Sequence, residues 1–164
     1  MAPFIRHLEE ALAAPLEMAQ LVAREPDSVL LMPVRGVAVK NVADTWGAPR
    51  SGDREHKGQD IFAKKGTPVV SATEGYVMRI TGPDTNRLGG NAVFVFGAGR
   101  HIYYYAHLDS VHEAMKVGAK VSTTTVLGFV GQSGNAAGTP PHLHFGIYAR
   151  GGAIDPLPLL IDRT

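Results

Sequence analysis

The sequence predicts a mainly β domain with short helices at its N-terminus. Three observations carry that expectation. The chain holds 19 Gly and 11 Pro in 164 residues, which divides it into short pieces. From residue 29 onward the apolar residues recur with period two between turn signals. Helix-spaced apolar residues fall before that point, where Phe4, Ile5, Leu8 and Leu12 share one stripe and Leu16, Ala19 and Leu21 another.

Residues 3–24 are therefore expected as two short helices, with Pro15 opening the second, where its missing N–H does no harm. Residues 1–28 are an appendage that packs on the domain, or a cover over its groove. Residues 29–34 and 36–39 are strand candidates. Residues 45–53 form a loop that holds the only Trp, Trp46, either as an anchor to the core or as part of a groove wall. Residues 59–63, 66–70, 74–80, 91–96, 101–108, 126–130 and 142–148 read as strands. Residues 97–100 (Gly-Ala-Gly-Arg) read as a hairpin turn. Residues 82–90 and 131–139 are Gly-rich loops. Gly66-x-x-Val69 with Gly75 is faintly echoed by Gly118-x-x-Val121 with Gly128, as in two related halves.

Composition excludes several classes. The length suits one domain with a real core and is short for two. The formal net charge is +1 with no basic stripe, so nucleic acid is not expected as a partner. With no Cys there are no disulfides or thiolate ligands, and any metal must be held by His and carboxylates. No apolar run approaches the roughly 20 residues that span a bilayer. Arg6, His7, Glu9, Glu10 and Glu17 interrupt the N-terminal apolar residues, so no signal peptide is read there. Either that export route is not used or the chain lacks its targeting segment.

The most informative stretch is Pro141-His142-Leu143-His144-Phe145-Gly146-Ile147-Tyr148. On a strand, Leu143, Phe145 and Ile147 seat one face on the core, while His142 and His144 stand side by side on the other, about 7 Å apart. His56-x-Gly58-x-Asp60 could converge through a turn at Gly58. Alone that spacing is a common surface ion pair; beside a His-x-His it gains meaning. His107 closes a run in which His101, Tyr103, Tyr105 and His107 are expected on one face. Five residues thus stand apart: His56, Asp60, His107, His142 and His144. His and carboxylate ligands that leave one position open for water are the chemistry of hydrolytic zinc sites. His7 and His112 read as solvated.

Trp46-Gly47-Ala48-Pro49, His56-x-Gly58-x-Asp60-Ile61, Gly66-Thr67-Pro68-Val69, Tyr105-Ala106-His107-Leu108, Gly128 to Asn135, His142-Leu143-His144-Phe145 and Asp155-Pro156 occur in one order. In that order and spacing the chain, from about residue 30 onward, resembles the lysostaphin-type (LytM-type) zinc endopeptidases. The resemblance implies a two-layer, sandwich-like and barrel-hybrid β fold with an open groove over residues 29–164. It implies that His56, Asp60 and His144 ligate Zn2+, and that His107 and His142 are catalytic histidines off the metal. It implies hydrolysis of peptide stems or cross-bridges of bacterial peptidoglycan, and from that substrate a place in the cell envelope. Gln59, where an apolar residue is usual, and the insertion-like Thr139-Pro140-Pro141 depart from the pattern. A non-catalytic relative that docks on another wall hydrolase is the alternative; such relatives lack site residues, and all five are present here. A cupin-type metal barrel would need a Glu soon after the pair, and residues 146–152 offer none.

Overall fold

The computed structural model describes residues 14–164. Residues 14–23 are helical; the expected helix ahead of Pro15 lies outside the described residues. Thirteen strands follow: β1 (Leu30–Leu31), β2 (Pro49–Arg50), β3 (Arg54–Glu55), β4 (Gln59–Phe62), β5 (Pro68–Val70), β6 (Gly75–Thr81), β7 (Asn91–Gly97), β8 (Ile102–Val111), β9 (Lys120–Val121), β10 (Val126–Val130), β11 (His142–Ala149), β12 (Gly152–Ile154) and β13 (Leu160–Ile161). The fold is mainly β, as the turn-rich composition requires.

Nine strands share one sheet, ordered β12-β11-β8-β7-β6-β9, with β4 on β11 and a β5–β10 arm on β8. The sheet is an open path rather than a closed barrel. Strand β11 is its pivot. His142 to Phe145 pair with β4 on one side, and His144 to Tyr148 pair with β8 on the other. Alternation then does what the sequence promised: Leu143, Phe145 and Ile147 are fully buried and share one core with Ile61, Val93, Val95, Tyr103 and Tyr105. The β5–β10 arm and the parallel β1–β13 pair complete that core through Val69, Leu127, Val130, Leu30 and Leu160. Burying such side chains contributes about 1.5–3 kcal/mol each.

Three local expectations are corrected. The 29–34 strand shrinks to β1 plus a single bridge from Val34 to Val69, and residues 39–41 are a 3-10 turn. The 45–53 loop contains half of a small hairpin, β2–β3, too short to leave a period in the sequence. Strand β8 runs on past His107 to Val111. The internal echo has a structural counterpart. β5, which follows Gly66, pairs with β10, while β9, which follows Gly118, pairs with β6. Each unit thus lends its first strand to the other.

The helical residues dock far from the groove. Leu21 packs on Tyr76 and Ala98, and Glu17 accepts hydrogen bonds from Tyr76 Oη at 3.2 Å and Lys120 Nζ at 2.6 Å. None of these residues lines the groove.

Candidate active site

The face of β4, β8 and β11 opposite the core floors an open groove of about 750 Å³. Asp60, Ala106, His142 and His144 are on the floor. The β2–β3 hairpin walls one side, and the loops carrying Leu88 and Asn135 wall the other.

Three donor atoms meet there. His56 Nε2 is 2.8 Å from His144 Nδ1 and 3.0 Å from Asp60 Oδ1, and His144 Nδ1 is 3.4 Å from the same oxygen. His56 and Asp60 converge because the chain turns at Gly58. A Cβ there would lie 2.7 Å from both His144 Cε1 and the Phe145 carbonyl oxygen, so only glycine lets the two segments touch. His56 Nδ1 faces the Thr45 carbonyl at 2.7 Å. A carbonyl only accepts, so Nδ1 carries the hydrogen and a neutral His56 turns a bare lone pair on Nε2 toward the carboxylate. Lone pair against carboxylate repels unless a cation lies between them. The set fits that need: two imidazole nitrogens and one carboxylate oxygen are zinc's ordinary donors. A tetrahedral ion with ligands at about 2.0–2.2 Å separates them by about 3.3–3.6 Å. The His144–Asp60 edge, at 3.4 Å, has that length, while the His56–Asp60 and His56–His144 edges, at 3.0 and 2.8 Å, are shorter, so His56 would move outward to admit the ion.

Arg50 Nη2 takes the second carboxylate oxygen, Asp60 Oδ2, at 2.5 Å. Oδ1 is thereby left to the histidines. Burial alone would raise the Asp60 carboxyl, but without a metal the protons that His144 and His56 can donate to it, and their positive charge, outweigh burial and hold the group well below the usual carboxylate range. Burial lowers the His144 imidazole despite the adjacent carboxylate.

The other two histidines stand edge to face, with ring centroids 5.0 Å apart. His142 Nδ1 donates to the Pro140 carbonyl and His107 Nδ1 to that of Ser133, each at 2.9 Å. Both present Nε2 to the groove, and His142 Nε2 is 3.8 Å from Asp60 Oδ1. The Thr139-Pro140-Pro141 departure thus supplies the carbonyl that fixes the His142 tautomer. Burial pushes the His107 imidazole down to about 4, so it is neutral at neutral pH. Phe62, half exposed, leans on His142 at 5.3 Å between ring centroids.

His107 reaches the groove by a route that alternation does not give. Tyr103 and Tyr105 are buried in the core, while Tyr104 and Ala106 face the groove. The expected shared face of His101, Tyr103, Tyr105 and His107 is therefore wrong for His107. Its φ of 61° lies in the left-handed region, and the register of β8 slips there against β7, with a second slip against β10 at Asp109. This bulge swings His107 to the side of Ala106. Two residues hold it. Asn91 Nδ2 donates to the Leu108 and Asp109 carbonyls at 3.2 and 2.9 Å. Ser133 Oγ donates to the Leu108 carbonyl at 2.6 Å, and the His107 amide donates to Gly89 at 2.8 Å. Sequence reasoning missed Arg50, Asn91 and Ser133; the Gly89-Gly90-Asn91 step at a strand start was the available signal. His101 and His112 do not line the groove, and His7 lies outside the described residues. Trp46 is partly exposed beneath Lys57, 5.5 Å away, and belongs to neither core nor groove.

All five singled-out residues line one groove, and the chain is similar to several known proteins. The L-Ala–D-Glu endopeptidase of Bacillus subtilis is 39% identical over 127 residues, covering 71% of this chain and 38% of that protein. The glycyl-glycine endopeptidase ALE-1 of Staphylococcus capitis is 34% identical over 110 residues, 64% of this chain and 29% of that protein. The chain thus spans little more than a third of these relatives at most. Among solved structures, the catalytic domain of lysostaphin from Staphylococcus simulans superposes with a TM-score of 0.62 at 29% identity, over 73% of this chain and 92% of that domain. Helicobacter pylori Csd3 superposes with a TM-score of 0.61 at 27% identity, over 83% of this chain and 33% of that one. The profile of Peptidase family M23 matches residues 54–156, the span from the strand before His56 to the Asp155-Pro156 pair. That match covers more than half of the chain, and the chain belongs to Peptidase family M23.

Proposed function

We propose that residues 29–164 form a zinc-dependent endopeptidase domain that hydrolyses the peptide stems or cross-bridges of bacterial peptidoglycan. The observation that carries this reading is the convergence of two sets of nitrogens in one groove: His56 and His144 with Asp60, and the bare Nε2 atoms of His107 and His142. His56 Nε2, Asp60 Oδ1 and His144 Nδ1 hold the ion. Bound there, zinc supplies Lewis acidity toward a peptide carbonyl and acidifies water. The chain's own groups do the rest. His107 and His142, with Nδ1 hydrogens committed to Ser133 and Pro140, offer Nε2 as the base that takes a proton from water. Once protonated, the same Nε2 donates to the developing oxyanion or the leaving amine. Arg50 holds the Asp60 carboxylate in its orientation. The groove is open, at about 750 Å³, and the endopeptidases named among the relatives support that substrate class. Such a substrate places the protein in the cell envelope.

The test is zinc analysis of the purified protein together with release of muropeptides from purified sacculi, before and after chelation. Zinc-dependent release supports the reading. Stoichiometric zinc with no cleavage of walls of differing cross-link chemistry overturns it in favour of a docking role on another hydrolase.

A further inference from the structure

Gln59 is fully buried between the two aspartates that flank the site in sequence. Its Oε1 accepts from the Thr45 amide at 2.9 Å and from Thr45 Oγ1 at 3.2 Å. Its Nε2 donates to Asp44 Oδ1 at 2.8 Å and Asp155 Oδ1 at 2.9 Å. The amide has one orientation, because turning it round would set NH2 against the Thr45 N–H and an oxygen against two carboxylates. Each carboxylate oxygen is also fixed from behind: Asp44 accepts from the Trp46 amide and Asp155 from the Leu157 amide, both at 3.0 Å. Held this way, Thr45 turns its remaining polar groups to the metal ligands. Its carbonyl accepts from His56 Nδ1 at 2.7 Å, and its Oγ1 accepts from the Asp60 amide at 2.9 Å.

We infer that Gln59 is a positioning residue for the metal centre, clamping Thr45 between Asp44 and Asp155 so that the Thr45 carbonyl fixes the His56 ring with Nε2 toward Asp60 and His144. The inference rests on the metal reading above. It gives a task to the Asp155-Pro156 pair, which lies 96 residues from Gln59, and to the polar residue that departs from the expected apolar one. A Val at this position would fill the space but leave the Thr45 amide unpaired and two carboxylates with no donor between them.

The test compares wild type, Q59V, Q59E and Q59E/D155N. Zinc affinity is read by chelator competition, and the His56 Nδ1–H resonance is read by NMR in zinc-free protein. Q59V is expected to weaken zinc binding by about 10–100-fold, the usual effect of losing a partner behind a ligand, with the far-UV spectrum kept. The His56 resonance broadens or disappears in the same variant. Q59E brings three carboxylates together and binds zinc less well than wild type; D155N in that background restores a donor and recovers part of the affinity. Unchanged zinc affinity and an intact His56 resonance in Q59V overturn the inference. Should Q59V fail to fold, equal zinc affinity of Q59E and Q59E/D155N overturns it instead. A wild type that binds no zinc would overturn the metal reading, a separate result, since the His56 resonance reports the clamp without metal.

Discussion

His56 and His144 meet nitrogen to nitrogen at 2.8 Å, although 88 residues separate them in the chain. With Asp60 at the third corner, neither ring can be removed without opening the triangle. Asp60→Asn and His144→Ala are expected to lower bound zinc from stoichiometric to background, measured by elemental analysis after dialysis. Muropeptide release should vanish with it, while the far-UV spectrum of the sheet stays.

His107 and His142 stand apart from that triangle. Replacing either by Ala should leave zinc bound and reduce turnover by about 10²–10⁴-fold, the range for loss of an acid–base group. Loss of zinc from His142→Ala, with activity surviving in its residual zinc-bound fraction, would reverse the division of labour between the paired histidines.

The buried His107 makes stability depend on pH. Its imidazole titrates near 4 in the fold against an ordinary value of 6.5. As pH falls below 6.5 the unfolded chain takes up a proton that the native site refuses, so stability is lost progressively down to about pH 4. The shift corresponds to a loss on the order of 3 kcal/mol. Urea unfolding of the zinc-free protein between about pH 7 and pH 4.5 should show this slope, and His107→Gln should reduce it, leaving the part that the lowered His144 contributes.

Gly58 is expected to resist even alanine. The added methyl meets His144 Cε1 and a backbone oxygen at 2.7 Å. Gly58→Ala should cost about 1–3 kcal/mol of stability by overpacking. Thermal unfolding measures that cost, and the same variant should bind zinc more weakly because His144 is the group displaced.

Asn91 supports the bulge without touching the groove floor. Asn91→Ala leaves the Asp109 carbonyl without this donor and the Leu108 carbonyl to Ser133 Oγ, and should cost about 0.5–1.5 kcal/mol. Its kinetic mark should be a lower kcat with KM little changed, since His107 shifts while the substrate walls stay. A change in KM alone would place Asn91 in binding instead.

Which parts of this were legible follows from the range of the forces involved. The β11 strand could be read whole, because one face of period two is enough to bury Leu143, Phe145 and Ile147 and expose His142 and His144. The convergence of His56 with Asp60 was legible from Gly58, a local turn. His107 was assigned to the wrong face because its bulge is held by Asn91 and Ser133, 16 and 26 residues away, and no local period encodes them. The β2–β3 hairpin escaped because two-residue strands carry no period at all, and with it went Arg50. Gln59 was visible as a departure, but its purpose depends on Asp44 and Asp155, which only the folded chain brings together.

The pairing of β4 with β11 alone has a consequence for biosynthesis. A nascent chain that has not yet reached residue 142 lacks both His142 and His144, and its β4 has no strand to lie against. The donor triangle therefore closes in a single step, when β11 docks on β4, not by degrees. A product cut short before residue 142 holds His56 and Asp60 but no triangle.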